Sequence, residues 1–334
     1  MNVSGTPALW IGFAAIIVVL LALDLGLFKR SESNEMSLRE ALVRSVCWIA
    51  LAAAFNAGVY HMLGAKKGLE FTASYLLEQA LSVDNLFVFV LIFSAFKVKQ
   101  AYQHRVLFWG IVGAVLLRGI FIGLGTALIQ RFAWVTYIFG AILIWTAWKL
   151  VRGGDDDDEF DPDGNVAFRW FKRIVPSVPD FRGTHFTVRE GGKLLATPLM
   201  AVLVLVETSD VLFALDSIPA VFGVTSDPFI VYTSNIFAIL GLRSMYFLLA
   251  KVVQHFVYLK TGLAIILSFV GLKMMIHELY QVPIVASLGI IFFVLAATVL
   301  ASMIWPKKEK EDEAKTGEGK TDEGKTEPAE TGGH

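Results

Sequence analysis

The sequence predicts an all-α, polytopic membrane protein of about nine transmembrane helices, built around an inverted repeat of three helices. Composition points there first. Apolar residues make up 55% of the chain and charged residues 18%, whereas soluble domains carry about 25% charged residues. Segment length points there next: nine apolar stretches approach the roughly 20 residues that a helix needs to cross a bilayer. The third observation is internal similarity between residues 70–151 and 197–279, developed below.

The elements follow in order. Residues 8–28 and 41–63 are two N-terminal helices in a region spanning 1–69. No Lys or Arg precedes the first, and it runs into LFKRSES rather than a small-residue cleavage site, so it reads as a retained anchor. Segments 70–96, 106–130 and 133–151 form the first three-helix unit. A loop at 152–196 carries the acidic run GGDDDDEFDPDGN (153–165) and then FKRIVPSVPDFRG, which is basic and aromatic and expected on the membrane surface. Segments 197–223, 229–250 and 258–279 form the second unit, and 283–305 is the last helix, within 280–306. The tail 307–334 is rich in Gly, Glu and Lys, has little to bury, and is expected to be disordered.

Basic residues alternate with the loops. Lys29, Arg30, Arg39 and Arg44, then Lys97, Lys99 and Arg105, then the 152–196 loop, Lys251 and Lys260, and finally Lys307 and Lys308 fall on one parity. The other parity holds only Lys66, Lys67 and Arg131. By the positive-inside rule the first set is cytoplasmic. The N-terminus is then outside and the C-terminus inside, in what we expect to be a bacterial inner (plasma) membrane. The net charge of −1 offers no reason to expect a nucleic-acid partner. The single cysteine, Cys47, excludes disulfides and thiolate metal sites within one chain.

Aligning SVDNLFV (82–88) with TSDVLFA (208–214) places Asp84 on Asp210. Shifting by one residue aligns GAVLLRGIF (113–121) with AILGLRSMY (238–246) and places Arg118 on Arg243. A further apolar segment follows each: YIFGAILIW (137–145) and LSFVGLKMM (267–275). Two copies of an odd-numbered unit take opposite orientations in the membrane, the architecture in which secondary transporters place ion sites near the midplane.

The charged residues of these units are the candidate site. Residues 70–96 hold Glu78, Asp84 and Asn85 mid-span, and 197–223 hold Glu207, Asp210 and Asp216. One charge at a helix centre costs about 2.5–3.5 kcal/mol to insert, so such groups are expected to face each other, water, protons or a cation. Glu207 and Asp210 share a helix face. Asp216, six residues beyond Asp210, does not, and Glu78 and Asp84 have the same six-residue gap. Convergence of all the acids therefore requires local unwinding, for which Pro219 and Ser82, Thr208, Ser209 and Ser217 are candidate causes. An unbroken helix would instead leave two half-sites. The donor set is oxygen only, which suits Mg²⁺, Ca²⁺ or Mn²⁺. Arg118 and Arg243 are the candidate countercharges, and protons are candidate counter-ions. The competing account is a structural polar network between helices.

LLEQALSVDNLFVF and VETSDVLFALDSIPAVFGVTSDPFIVYTSNIFAILGLR resemble signature segments of the TerC family of integral membrane proteins, over roughly residues 8–305. That family is named for tellurium resistance and is related to LysE-type exporters, with members implicated in Mn²⁺ efflux. The resemblance implies that Glu78, Asp84, Glu207, Asp210 and Asp216 handle metal. It implies a non-enzymatic secondary transporter with no tightly bound cofactor, exporting a divalent cation, Mn²⁺ ahead of Ca²⁺, in exchange for protons. Direct transport of anionic tellurite fits poorly with an acid-lined site. Relatives linked to thylakoid assembly and to secreted proteins imply the alternative, a membrane scaffold or an accessory factor in metal loading or membrane-protein biogenesis. An intramembrane aspartyl protease is disfavoured because its Tyr-Asp and Gly-x-Gly-Asp signatures are absent.

Overall fold

A computed structural model describes residues 5–28, 37–152, 162–250 and 258–304. The acidic run from 153 to 161, the basic residues Lys29, Arg30 and Lys251 and the tail from Trp305 lie outside the described residues, as does the side chain of Asp84. The main helices are α1 (Pro7–Phe28), α2 (Leu38–Leu63), α3 (Ala65–Ala95), α4 (Gln100–Arg131), α5 (Val135–Arg152), a short α6 (Val166–Ile174), α7 (Pro198–Phe222), α8 (Pro228–Leu249), α9 (Leu259–Met275) and α10 (Ile284–Ile304). Each of the nine apolar segments read from the sequence is helical. Among the described residues, six helices are long and apolar enough to cross a membrane: α2, α3, α4, α5, α7 and α10. Helix α8, which carries Arg243, is instead almost wholly buried.

Local chemistry sets the boundaries. Ser37 accepts from Glu40 N at the start of α2, the serine half of an S-x-x-E capping pattern. Pro198 and Pro228 open α7 and α8 at the first turn, where a missing N–H has no intrahelical partner to lose. Asp227 caps α8 by accepting from Phe229 N at 3.0 Å. Among the described residues the chain departs from an all-helical plan between α6 and α7. Strands β1 (Thr187–Glu190) and β2 (Lys193–Ala196) form an antiparallel hairpin closed by Gly191 and Gly192, both at positive φ. That backbone suits the tight turn and is open to glycine.

Helix α3 packs on α8 and α4 on α7, while α5 packs on α9. Exchanging α3, α4 and α5 for α7, α8 and α9 maps this set of partners onto itself. At the α5–α9 crossing two glycines face each other: a Cβ on Gly140 would sit 2.9 Å from the carbonyl oxygen of Gly271, and one on Gly271 would sit 2.8 Å from that of Gly140. Helices α1 and α2 add an aromatic layer of Phe13, Phe55 and Trp10 against Phe229, Tyr232 and Phe237 of α8. Large apolar side chains such as Leu116, Leu124, Trp145, Phe292 and Phe293 remain exposed on α4, α5 and α10, as a lipid-facing surface requires.

The connections sort by end. The α2–α3 and α7–α8 turns, the start of α5 and the end of α9 surround one cavity. At the opposite end the α3–α4 turn meets the 162–197 segment, with Phe96 against Phe168 and Arg105 donating to Thr184 at 2.9 Å. The amphipathic α6 buries Phe168 and leaves Val166, Trp170 and Ile174 exposed.

The expected unwinding does not occur: α3 and α7 are continuous helices. Pro219 lies one turn from the end of α7, where losing one ladder bond does not break the helix. Thr208 donates to the carbonyl of Val204 at 2.6 Å, adding a bond to the ladder instead of replacing one.

Candidate functional site

Arg118, midway along α4, has no exposed surface and is the largest fully buried side chain among the described residues. A guanidinium in such a place needs its five N–H donors matched. Its Nη2 donates to Asp210 Oδ1 at 3.0 Å and its Nε to Asp210 Oδ2 at 3.4 Å, a two-pronged grip on one carboxylate. Its Nη1 pairs with Glu78 Oε1 and donates to Asn235 Oδ1 at 3.0 Å and Ser217 Oγ at 3.5 Å. The knot thus joins α3, α4, α7 and α8 with two carboxylates on one cation, and Glu78 and Asn235 are fully buried with it.

The helical spacing decides where the other acids go. Glu207 shares the Asp210 face of α7 and lies against Gly113 of α4, where a Cβ would collide with its carboxylate. Its Oε2 is buried without a hydrogen-bond partner among the described residues. Asp216, on another face, accepts from Thr146 Oγ1 of α5 at 2.9 Å. Asn85 is buried on α3, and its amide nitrogen also has no partner among the described residues. Arg243 is buried on α8 and lines a cavity of about 20 Å³ with Asp210, Gly110, Ala114 and Phe89; that volume holds about one water. The acids are therefore divided as an unbroken helix dictates, with Glu78 and Asp210 on Arg118, Glu207 beside them and Asp216 apart. Among the described residues no three His, Cys, Asp or Glu side chains are gathered as a metal-binding group.

A second ionic cluster lies at the end of the bundle that holds the α2–α3 turn. Lys67 Nζ is 3.0 Å from Glu70 Oε2 and 2.9 Å from Asp227 Oδ2, and Thr225 donates to Glu70 at 2.6 Å. These residues and Lys273 line a cavity of about 510 Å³. Sequence reasoning missed this cluster, although Lys67 and Glu70 at helical spacing were a signal. Asn235, in the apolar helix α8, also holds Arg118.

These features define an integral, all-α membrane protein with an ionic knot buried at its centre. The chain belongs to the integral membrane protein TerC family, whose model matches residues 63–311. It is 51% identical over 300 residues to the uncharacterized membrane protein STKORF319 of Myxococcus xanthus, covering 90% of this chain and 93% of that one. It is 47% identical over 306 residues to the Escherichia coli K12 protein named "Putative membrane-bound redox modulator Alx", covering 89% and 95%. A Rickettsia felis membrane protein is 41% identical over 295 residues, covering 88% and 97%. No solved structure matches the chain.

Proposed function

We propose that the protein is a secondary transporter of the bacterial inner membrane that exports a divalent cation, Mn²⁺ first, in exchange for protons. The observation that carries this reading is the buried knot of Arg118 with Glu78 from one three-helix unit and Asp210 from the other. Ion sites at the interface of two repeats are the transporter pattern, and the reciprocal packing of α3–α5 with α7–α9 supports two related units. Arg118 is the internal countercharge that keeps the acids neutralised when no metal is bound. Glu207, Asp84 and Asn85 supply the further oxygens that a hard cation takes. The N-terminus is then outside, the C-terminus cytoplasmic, and the 510 Å³ cavity opens outward.

The absence of a three-acid cluster among the described residues favours a second reading, in which the knot only ties helices together and the protein is a scaffold or accessory factor. The redox role in the name of the Escherichia coli relative has no dithiol basis within this chain, which contains one cysteine. Flux in proteoliposomes decides between the readings, with Mn²⁺, Ca²⁺, Mg²⁺ and Zn²⁺ compared under an imposed pH gradient. Transport predicts movement of one divalent ion, lost in Asp84→Asn and in Asp210→Asn while both variants still reach the membrane. Normal flux in both variants sinks the site, and no flux from folded wild-type protein selects the scaffold.

A further inference from the structure

The short helix α6 is divided round its circumference into three arcs. Phe168 and Phe171 form the arc that meets the bundle. Phe168 is buried and stands edge-on to Phe96 at the end of α3, with ring centroids 5.6 Å apart, and Phe171 packs against the same core. Val166, Trp170 and Ile174, at steps of four, form a second arc and are 59%, 63% and 65% exposed. Arg169 and Arg173 form the third, and both are exposed. At about 100° per residue, Arg173 lies roughly 20° round the helix from Val166 and Arg169 roughly 60°. The basic arc therefore borders the exposed apolar one. Asn165 caps the helix by accepting from Phe168 N at 3.1 Å, which fixes the arcs from the first turn onward.

The position of α6 says what covers this surface. It sits at the end of the bundle marked by the α3–α4 turn, where α5, which starts at the opposite end, also finishes. The last turns of α5 carry the same two chemistries. Trp145 and Trp148 are exposed, with Lys149 Nζ 5.7 Å from the centre of the Trp145 ring and Arg152 Cζ 4.4 Å from the Trp148 ring. Exposed tryptophans beside basic side chains at the end of an apolar helix mark the headgroup level of a bilayer. We infer that α6 is a docking surface for anionic phospholipid. Val166, Trp170 and Ile174 enter the acyl boundary, and Arg169 and Arg173 hold headgroup phosphate through paired N–H donors. Charge complementarity selects this occupant. An acidic protein in water would match the arginines but leave the apolar arc wet. A zwitterionic lipid would cover the apolar arc, but its phosphate is already balanced by its own ammonium. A free helix of nine residues would be marginal, whereas seating on Phe96 sets its conformation before any lipid arrives. The surface is independent of what crosses the membrane.

The full chain in phosphatidylcholine nanodiscs is doped with equal amounts of brominated phosphatidylglycerol or brominated phosphatidylcholine, and tryptophan quenching is measured. The Trp170 contribution is the difference between wild type and Trp170→Phe. The surface predicts that phosphatidylglycerol quenches Trp170 at least about threefold more than phosphatidylcholine, since each basic residue near a bilayer attracts anionic lipid. High salt should shrink that preference. Arg169→Gln with Arg173→Gln should abolish it, and Arg169→Lys with Arg173→Lys should keep it. Both arginines are exposed, so these variants retain the fold, which thermal unfolding checks; the salt series needs no variant. An absence of Trp170 quenching by either lipid overturns the surface and leaves α6 to water or a protein partner. Equal quenching by the two lipids overturns the selection for charge. A preference that survives high salt or the glutamine pair overturns the role given to Arg169 and Arg173.

Discussion

Replacing Arg118 by Met tests whether the central knot is a desolvated charge cluster. Arg118 and Glu78 have no exposed side-chain surface and Asp210 has 5%, so solvent cannot screen the carboxylates left behind. Breaking a buried pair by removing one partner costs about 3–5 kcal/mol, and here one substitution strands two acids. Arg118→Met should therefore lose at least about 3–5 kcal/mol. Arg118→Lys keeps the charge but loses the fork that grips Asp210 through Nη2 and Nε, and should lose about 1.5–3 kcal/mol, the worth of a charged hydrogen bond. The triple variant Arg118→Met, Glu78→Gln, Asp210→Asn removes every charge and should recover most of the loss, since neutral replacements of buried ion clusters are often tolerated. The assay is unfolding in mixed SDS micelles followed by tryptophan fluorescence. An Arg118→Met protein as stable as wild type would refute the reasoning, as would a triple variant no better than the single one.

Two further substitutions probe close helix approaches. In Gly113→Ala the new methyl meets the Glu207 carboxylate, the mobile end of a long side chain, so stability should stay within about 0.5–1 kcal/mol. Metal binding should weaken as Glu207 is displaced, and Mn²⁺ titration of the purified protein reads this; unchanged affinity would take Glu207 out of the site. Gly140→Ala and Gly271→Ala each push a methyl toward a backbone oxygen, at 2.9 and 2.8 Å, which cannot swing aside. Each should cost about 1–3 kcal/mol, and the pair should cost less than the sum because both open the same crossing. Strict additivity in the same unfolding assay would separate the two contacts.

Much of this structure was legible because lipid makes hydrophobic length a direct signal. The nine apolar segments coincide with helices, and the mid-span charges could be named because few alternatives tolerate them. Six-residue spacing gave the geometry its limit: Asp216 is about 240° round the helix from Asp210, and it does reach a different neighbour, Thr146. The expected unwinding failed because Pro219 sits too near the end of α7 to interrupt the span. Two features were not legible. The Lys67–Asp227 contact joins residues 160 apart in sequence, and only the packing of α3 on α8 brings them together. Asn235 stands in an apolar helix with nothing local to distinguish it, and its role depends wholly on Arg118 arriving from α4.

The orphaned oxygens and amides weigh against an account in which the knot is only glue between helices. A network kept for stability has no reason to leave buried donors and acceptors unmatched, because each unmatched group costs about 1–3 kcal/mol, and partly satisfied buried networks are worse than apolar packing. Among the described residues, Glu78 Oε2 and Asn235 Nδ2, on side chains that hold Arg118, have no hydrogen-bond partner, and neither do Glu207 Oε2 and Asn85 Nδ2. The guanidinium itself is well matched by Asp210, Glu78, Asn235 and Ser217. Holding the helices together requires only the second set. The first set is surplus to that task, and its two carboxylate oxygens, on Glu78 and Glu207, are the ones the proposed cation site would use.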